Sequence, residues 1–281
     1  MNNYPAIQQE LKSEKTLNRI CMALDLTAGN DNAKAEARKY AASVLAEIEK
    51  SAGSKNDLTA CNPHSVAQAM IDAAKFKLMI DGRQHAHLIK YGQSASLQIG
   101  YRAYLAKIKE AYPDADFVVT PIYEGDDLEI WDEGGTQNYK LKKKNAFSDG
   151  ENGLQGILFA VTYTDNGRLC RKVTPVPKSR IDRARGAAKQ DFIWKTDYIE
   201  KAKAAAIKNA CKHFFASLQG LQDIAQYDNE ANHDPNKGLK AAPLIENLNN
   251  EIFNEPDKKN SLDEDDDSDV IDMTDEEPVV L

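Results

Sequence analysis

Leu154-Gln155-Gly156-Ile157-Leu158-Phe159-Ala160-Val161-Thr162-Tyr163-Thr164, then Asp165-Asn166-Gly167, then Arg168-Leu169-Cys170-Arg171-Lys172-Val173-Thr174-Pro175 reads as a β-hairpin. Two runs rich in β-branched and aromatic residues flank an Asn-Gly pair, and such a pair accepts the positive φ angles of a tight turn. Working upstream, residues 116–124, 127–132 and 138–142 also read as strands. Ala86–Tyr91 and Ser94–Ile99 form a second hairpin, with Gly92-Gln93 at its turn. The intervening segments carry helix signals. Asn62-Pro63 is an N-cap followed by proline at the first helical position, and it opens a helix over Pro63–Leu78. Gly100–Tyr112 is predicted helical and stops before Pro113, while Lys178–Ala188 and Trp194–Leu218 follow the hairpin as helices. The predicted class is α+β, a small antiparallel sheet packed with helices.

The ends differ in character from this centre. Residues 1–55 read as two polar amphipathic helices, roughly Ile7–Asp25 and Asn32–Ser51, with few large apolar side chains. The expectation is a helical N-terminal appendage serving oligomerisation, outside a core of residues 56–228. Residues 229–281 hold 16 acidic and 4 basic residues, and the run Asp263-Glu264-Asp265-Asp266-Asp267 repels itself. A disordered acidic tail is expected there. The whole chain carries a net charge of −8, which argues against a nucleic-acid partner until the tail is set apart. Residues 1–228 are then net +4, and residues 178–212 alone are net +6. Cys21, Cys61, Cys170 and Cys211 lie far apart with no CxxC pair, so reduced thiols in a cytoplasm are expected. No stretch is apolar enough to span a membrane, and Met1-Asn2-Asn3-Tyr4-Pro5 lacks the start of a secretory signal.

Several chemistries find no motif. The sequence has no GxxxxGK[ST] or GxGxxG loop to cradle phosphates, and no HExxH. His85 and His87 are spaced to face one way on a strand, yet no third metal ligand is evident. Asp114, Asp116, Glu124, Asp126, Asp127, Glu129 and Asp132 would have to supply any Mg²⁺-dependent nuclease site, but they read as turns and a polar sheet face. No catalytic residue, metal or cofactor is expected.

What remains is cationic. Lys178, Arg180, Arg183 and Arg185 recur at helical spacing, Lys189 and Lys195 continue the series, and Trp194 and Tyr198 interleave with it. Cations follow a phosphate backbone and aromatic faces stack on unpaired bases without regard to sequence. A solvated helix with Trp194 as a core anchor is the plainer alternative. On a helical wheel of 194–218, Ile199, Ala206, Ile207, Ala210, Phe214 and Leu218 share one side, and Lys201, Lys208 and Lys212 form the opposite, wet side. Lys203 falls within the apolar arc, so it must find a partner carboxylate, snorkel out to water, or line a groove that receives phosphate. In Leu97-Gln98-Ile99-Gly100-Tyr101-Arg102, glycine permits a tight turn or a close backbone approach before a helix whose first turn holds Arg102.

Three of these stretches together resemble the RecT/Redβ family of phage single-strand annealing proteins, the RecT branch most closely. They are Leu97–Leu105, Val118-Val119-Thr120-Pro121-Ile122-Tyr123-Glu124-Gly125-Asp126, and Trp194-Lys195-Thr196-Asp197-Tyr198 with Ala202-Lys203 and Ile207-Lys208-Asn209 after it. The resemblance covers roughly residues 60–228. Where the family has Lys-Lys-Thr this chain has Lys203-Ala204-Ala205, and Ala103 stands where the family has glycine. The resemblance implies ATP-independent binding and annealing of single-stranded DNA by a ring or helical-filament homo-oligomer. It implies partners as well: single-stranded DNA and the annealed duplex, an exonuclease, and the host single-strand binding protein, docked through the C-terminal tail. Tyr101, Arg102, Lys178, Arg180, Arg183, Arg185, Lys189, Trp194, Lys195, Tyr198, Lys203 and Lys208 are the candidate DNA-contacting residues. A passive single-strand coating protein, and after it a metal-dependent nuclease, are the alternatives.

Overall fold

A computed structural model of the chain describes residues 2–28, 30–188, 192–214 and 218–233. The chain opens with helices α1 (Tyr4–Lys12), α2 (Glu14–Ala23) and α3 (Asp31–Ser51), and a short 3-10 turn at Leu58–Ala60 leads into α4 (Pro63–Lys75). Ser13 caps α2 by accepting from the Thr16 N–H, and Asn62 caps α4 by accepting from the His64 N–H, with Pro63 in the first turn as the sequence predicts. Every residue of α4 from Ser65 to Ala74 is buried. A helix buried on all sides needs neighbours on all sides, and the N-terminal helices supply many of them. Ile7, Leu11, Leu17, Ile20, Val44 and Ile48 belong to the same hydrophobic cluster as Met70 and Ile71. Residues 1–55 are therefore a wall of the core and not an appendage outside it. Their apolar side chains are few, but small residues such as Ala33, Ala37 and Ala41 let α3 pack closely and bury its face.

Strands β1 (Ala86–Tyr91) and β2 (Ser94–Ile99) form the expected hairpin, closed by Gly92-Gln93, with Gly92 at φ +60. Ser65 of α4 accepts from the Ala95 N–H at 2.9 Å, which ties this ribbon to the helices. Gly100 then leads into α5 (Tyr101–Ala111). Its N–H donates to the His85 carbonyl at 2.8 Å, and a Cβ here would drive into the backbone of Gln84. Close approach, with φ at −78, is thus the reason for glycine at this position.

Strand β3 (Asp116–Tyr123) pairs with β6 (Leu154–Asp165), which pairs with β7 (Arg168–Pro177), in an antiparallel sheet of order β3-β6-β7. The turn between β6 and β7 has Asn166 at φ +50 and Gly167 at φ +77, as the Asn-Gly pair demands. Pro121 lies on β3, an edge strand, where a missing N–H is tolerated. Strand β6 is buried on both faces. Ile157, Phe159, Val161 and Tyr163 point into the main cluster, while Leu158 and Ala160 join Val173 in a second one. The second cluster is covered by Ile122, Leu128 and Tyr139, of which the latter two belong to the ribbon β4 (Asp127–Glu133) and β5 (Thr136–Lys142). Two-sided burial explains why β6 reads as a continuous apolar run instead of an alternating one. The single sheet expected from the sequence is three small antiparallel sheets.

Helices α6 (Lys178–Gly186), α7 (Phe192–Thr196), α8 (Tyr198–Phe214) and α9 (Gln219–His233) complete the described fold. The helix predicted over Trp194–Leu218 is divided at Asp197, a residue that favours helix starts over interiors. Ala202, Ala206, Ile207 and Ala210 of α8 are buried in the main cluster beneath the three-stranded sheet. Helix α9 has no counterpart in the sequence reading, and the boundary drawn at residue 228 runs through it. From residue 234 onward, the predicted acidic tail lies outside the described residues.

Candidate nucleic-acid interface

The cationic segment resolves into residues that face solvent and residues bound to the protein's own carboxylates. Lys178 and Arg185 both lie on α6 and both belong to the second kind. Lys178 Nζ donates to Asp182 at 2.8 and 2.9 Å and to Glu151 at 3.3 Å; Arg185 donates to the other oxygen of Glu151 at 3.0 Å. The two cations also sit 5.9 and 5.7 Å from the centre of the Tyr198 ring. Bonding to Asp182, then to Glu151, holds the Lys178 ammonium above its ordinary pKa despite partial burial. Arg180 and Arg183 lie on the same helix but are exposed. Arg180 approaches only the His213 ring, at 3.4 Å, and among the described residues no carboxylate pairs with either arginine. Their i,i+3 spacing sets them side by side on the helix surface. Arg102 on α5 is exposed as well, with its Nε 3.5 Å from the Tyr101 hydroxyl, and Lys195 on α7 is exposed.

The aromatic candidates sit deeper. Trp194 and Tyr198 are each 7 % exposed and pack edge to face, ring centres 5.8 Å apart. Neither ring offers a free face for a base. Tyr198 lies against Lys178, Asp182 and Arg185 of α6, and Trp194 packs on Tyr198 within the main cluster, which is the core-anchor alternative for Trp194. Tyr101 is half-buried against the main cluster. Lys189 lies outside the described residues.

On α8 the expectations divide. Lys203 pairs with Glu200 at 2.6 Å, so it finds a carboxylate, but in an i,i+3 pair at the surface, with side chains 29 % and 58 % exposed, and not in the interior. Lys208 and Lys212 are not a wet face. Helix α9 covers them, and both donate to Asp228, Lys208 at 3.1 Å and Lys212 at 3.4 Å. Asp228 is 5 % exposed and also accepts from the Tyr104 hydroxyl of α5 at 2.9 Å. Burial lowers the Lys212 pKa and the Asp228 charge opposes that shift. A second buried carboxylate, Asp72 of α4, accepts from Gln68, Lys75 and the Tyr227 hydroxyl, so α9 is fastened at two points. The wheel failed for Lys208 and Lys212 because it assumed that one face of α8 meets solvent. A further pass at i,i+3 and i,i+4 spacing over Leu218, Leu221, Ile224 and Asp228 contains the signal for α9.

The other candidate chemistries fare as follows. His85 precedes β1 and His87 lies on it, where burial lowers the His87 pKa. Asp126 accepts from the Tyr123 and Lys144 N–H groups and from Lys143, all within 3.0 Å, so it closes the β3–β4 turn. Among the described residues no group of three His, Cys, Asp or Glu side chains is placed to hold a metal ion. None of the described helices is long and apolar enough to cross a membrane.

No curated protein matches the chain. The matching family model is that of the RecT family, over residues 39–237. The match begins within α3 and runs past the end of α9, so it takes in the later part of α3 and the fastened C-terminal helix but neither α1 nor α2. With well over half of its length matched, and with the three sequence stretches described above falling inside the match, this chain belongs to the RecT family of phage recombination proteins, which bind and anneal single-stranded DNA.

Proposed function

We propose that this protein anneals complementary DNA strands as a homo-oligomer, without hydrolysing a nucleotide, in the cytoplasm of a bacterial host. The observation that carries the reading is the division of charge on α6. Lys178 and Arg185 are held by carboxylates, whereas Arg180 and Arg183 stand exposed with no carboxylate partner among the described residues. Arg180 and Arg183 are the primary phosphate contacts, with Arg102 and Lys195 as further exposed cations. Tyr198, backed by Trp194, supports the helix that presents them. Phosphate contacts carry no sequence information, so complementarity between strands selects the partner. The cations reduce repulsion between two polyanions, and repetition of weak sites along an oligomer raises the local concentration of open bases. The absence of any phosphate-cradling motif from the sequence fits annealing driven by binding alone. The N-terminal region is our candidate subunit contact, since Met22 and Leu26 present apolar surface there. The acidic tail is the candidate dock for an exonuclease and for the host single-strand binding protein.

The test is strand annealing with complementary oligonucleotides and no ATP. The wild-type protein accelerates pairing. The double variant Arg180→Ala/Arg183→Ala keeps its fold but loses two phosphate contacts, so the salt slope of log K becomes shallower by about 1.4 for single-stranded DNA. Lys203→Ala has little effect on binding, because Glu200 already neutralises that ammonium. Slower pairing in the presence of the wild-type protein would identify a passive coating protein instead. An unchanged salt slope in the double variant would move the DNA site off α6.

A further inference from the structure

Phe147 is 92 % exposed, more than any other large apolar side chain among the described residues. It lies in the segment 143–153 between β5 and β6, and both ends of that segment are fixed. At the first end the Lys143 ammonium donates to the Pro121 carbonyl and, at 3.0 Å, to the buried Asp126 carboxylate, whose other oxygen accepts from the Lys144 N–H at 2.9 Å. At the second end the Tyr123 hydroxyl donates to the Gly150 carbonyl at 3.1 Å, the Glu124 N–H donates to the Gly153 carbonyl at 2.8 Å, and Glu151 is bound to α6. Asn145 turns the chain between these stems. Its side-chain oxygen accepts from the Phe147 N–H at 3.0 Å, and its carbonyl accepts from the Ser148 N–H at 3.4 Å. The ring is carried outward on a short finger with closed stems.

A lone exposed ring is unremarkable on a protein surface, so its surroundings decide what it fits. Lys142 and Lys144 are exposed, five and three positions before Phe147, and neither pairs with a carboxylate among the described residues, although Asp127 stands opposite Lys142 across the ribbon. Asp149, on the other side of the ring, accepts from the Gly150 N–H at 2.8 Å. Docking into an apolar pocket of another protein calls for an apolar patch around the ring. Here the neighbours are Lys144, Asn145, Ser148 and Asp149, with Ala146 as the one apolar residue among them. A flat apolar face beside a cation matches one nucleotide of an unpaired strand, with a π-surface on its base and a negative charge on its backbone.

We propose that Phe147 is a base-stacking contact for single-stranded DNA, with Lys144 on the adjoining phosphate. The inference rests on the DNA-binding reading above and extends the contact surface from the α6 arginines to the finger. Glu151 ties the second stem to the face of α6 that carries Lys178 and Arg185. At about 100° per residue, Arg180 and Arg183 fall on the far side of that helix, so the finger and the arginines meet different nucleotides. Stacking is indifferent to the identity of the base. It also occupies only the face of the base and leaves the hydrogen-bonding edge open to a complementary strand.

The test measures binding of the full-length protein to a fluorescein-labelled oligothymidylate across a salt titration, and to an abasic strand of the same length, which keeps the phosphates and lacks the bases. Phe147 is too exposed for its truncation to disturb the core. Phe147→Ala should bind the oligothymidylate at least about 5-fold more weakly, the lower end of base–aromatic stacking, with the salt slope unchanged because no phosphate contact is lost. On the abasic strand Phe147→Ala and the wild type should bind alike, and Phe147→Trp should bind the oligothymidylate as tightly as the wild type. Lys144→Gln removes one phosphate contact and should make the slope shallower by about 0.7. Leu169→Ala, which truncates another exposed apolar side chain, should bind as the wild type does. The proposal is overturned if Phe147→Ala loses less than about 5-fold, if its loss persists on the abasic strand, as a structural or protein-docking role for the ring would produce, or if Lys144→Gln leaves the slope unchanged. In each of these cases binding by the wild type leaves the DNA-binding reading standing. Absence of wild-type binding at about 50 mM salt overturns both.

Discussion

Asp228→Asn tests whether α9 is an integral part of this fold. Asp228 is the common partner of Tyr104, Lys208 and Lys212, and it lies almost wholly out of water. Asparagine keeps the size of the side chain, and its amide oxygen keeps an acceptor for Tyr104. It removes the charge that compensates two ammonium groups. Breaking a fully buried pair from one side costs about 3–5 kcal/mol. The two lysine side chains here are 23 % and 24 % exposed. Part of their charge therefore reaches solvent, and the lower end, about 3 kcal/mol, is expected. For a folded body of this size each kcal/mol shifts the melting point by about 2–4 °C, so the variant should melt about 6–12 °C lower. The assay is thermal unfolding followed by far-UV circular dichroism, with Tyr104→Phe and the double variant completing a cycle. Tyr104→Phe alone removes one neutral donor and should cost about 1 kcal/mol. The two changes should be non-additive, since they share a partner. A shift under about 2 °C for Asp228→Asn, less than one kcal/mol on this scale, would refute the network as the fastening of α9.

Three further outcomes follow from particular contacts. Gly100→Ala forces a Cβ into the Gln84 backbone and should destabilise the protein by about 1–3 kcal/mol in urea unfolding, an overpacking cost unrelated to glycine flexibility. Burial raises the pKa of Asp72 above its unfolded value, with Lys75, Gln68 and Tyr227 opposing; its contribution to stability is therefore full below the ordinary carboxyl pKa and is lost as pH rises through the folded pKa. Relative to Asp72→Asn, the wild type should gain stability as pH falls through that window, read from unfolding midpoints at several pH values. Cys21, Cys61 and Cys211 are buried, desolvation pushes the Cys211 thiol up to about 12, and Cys170 is half-exposed; thiol titration of the native protein should therefore show one fast equivalent, abolished by Cys170→Ser.

The sequence was sufficient for local structure. Asn166-Gly167 specified its turn because few other pairs accept two positive φ angles, and Asn62-Pro63 specified a helix start because a cap and a pre-set φ suit no other place. It also located the cationic segment and the stretches shared with the RecT family. What it could not supply was the partner of each side chain. Nothing in the spacing of Lys178 and Arg185 reveals Glu151, which is 27 and 34 residues away and arrives through the pairing of β6 with β7. Nor does the α8 wheel reveal that Asp228 covers its lysine face, or that the sparse apolar residues of the first 55 positions close around α4. Turns and caps are decided within a few residues, by sterics and by short hydrogen bonds. Which cation is neutralised and which remains for DNA is decided by long-range burial, because the cost of desolvating a charge depends on what the rest of the chain brings beside it.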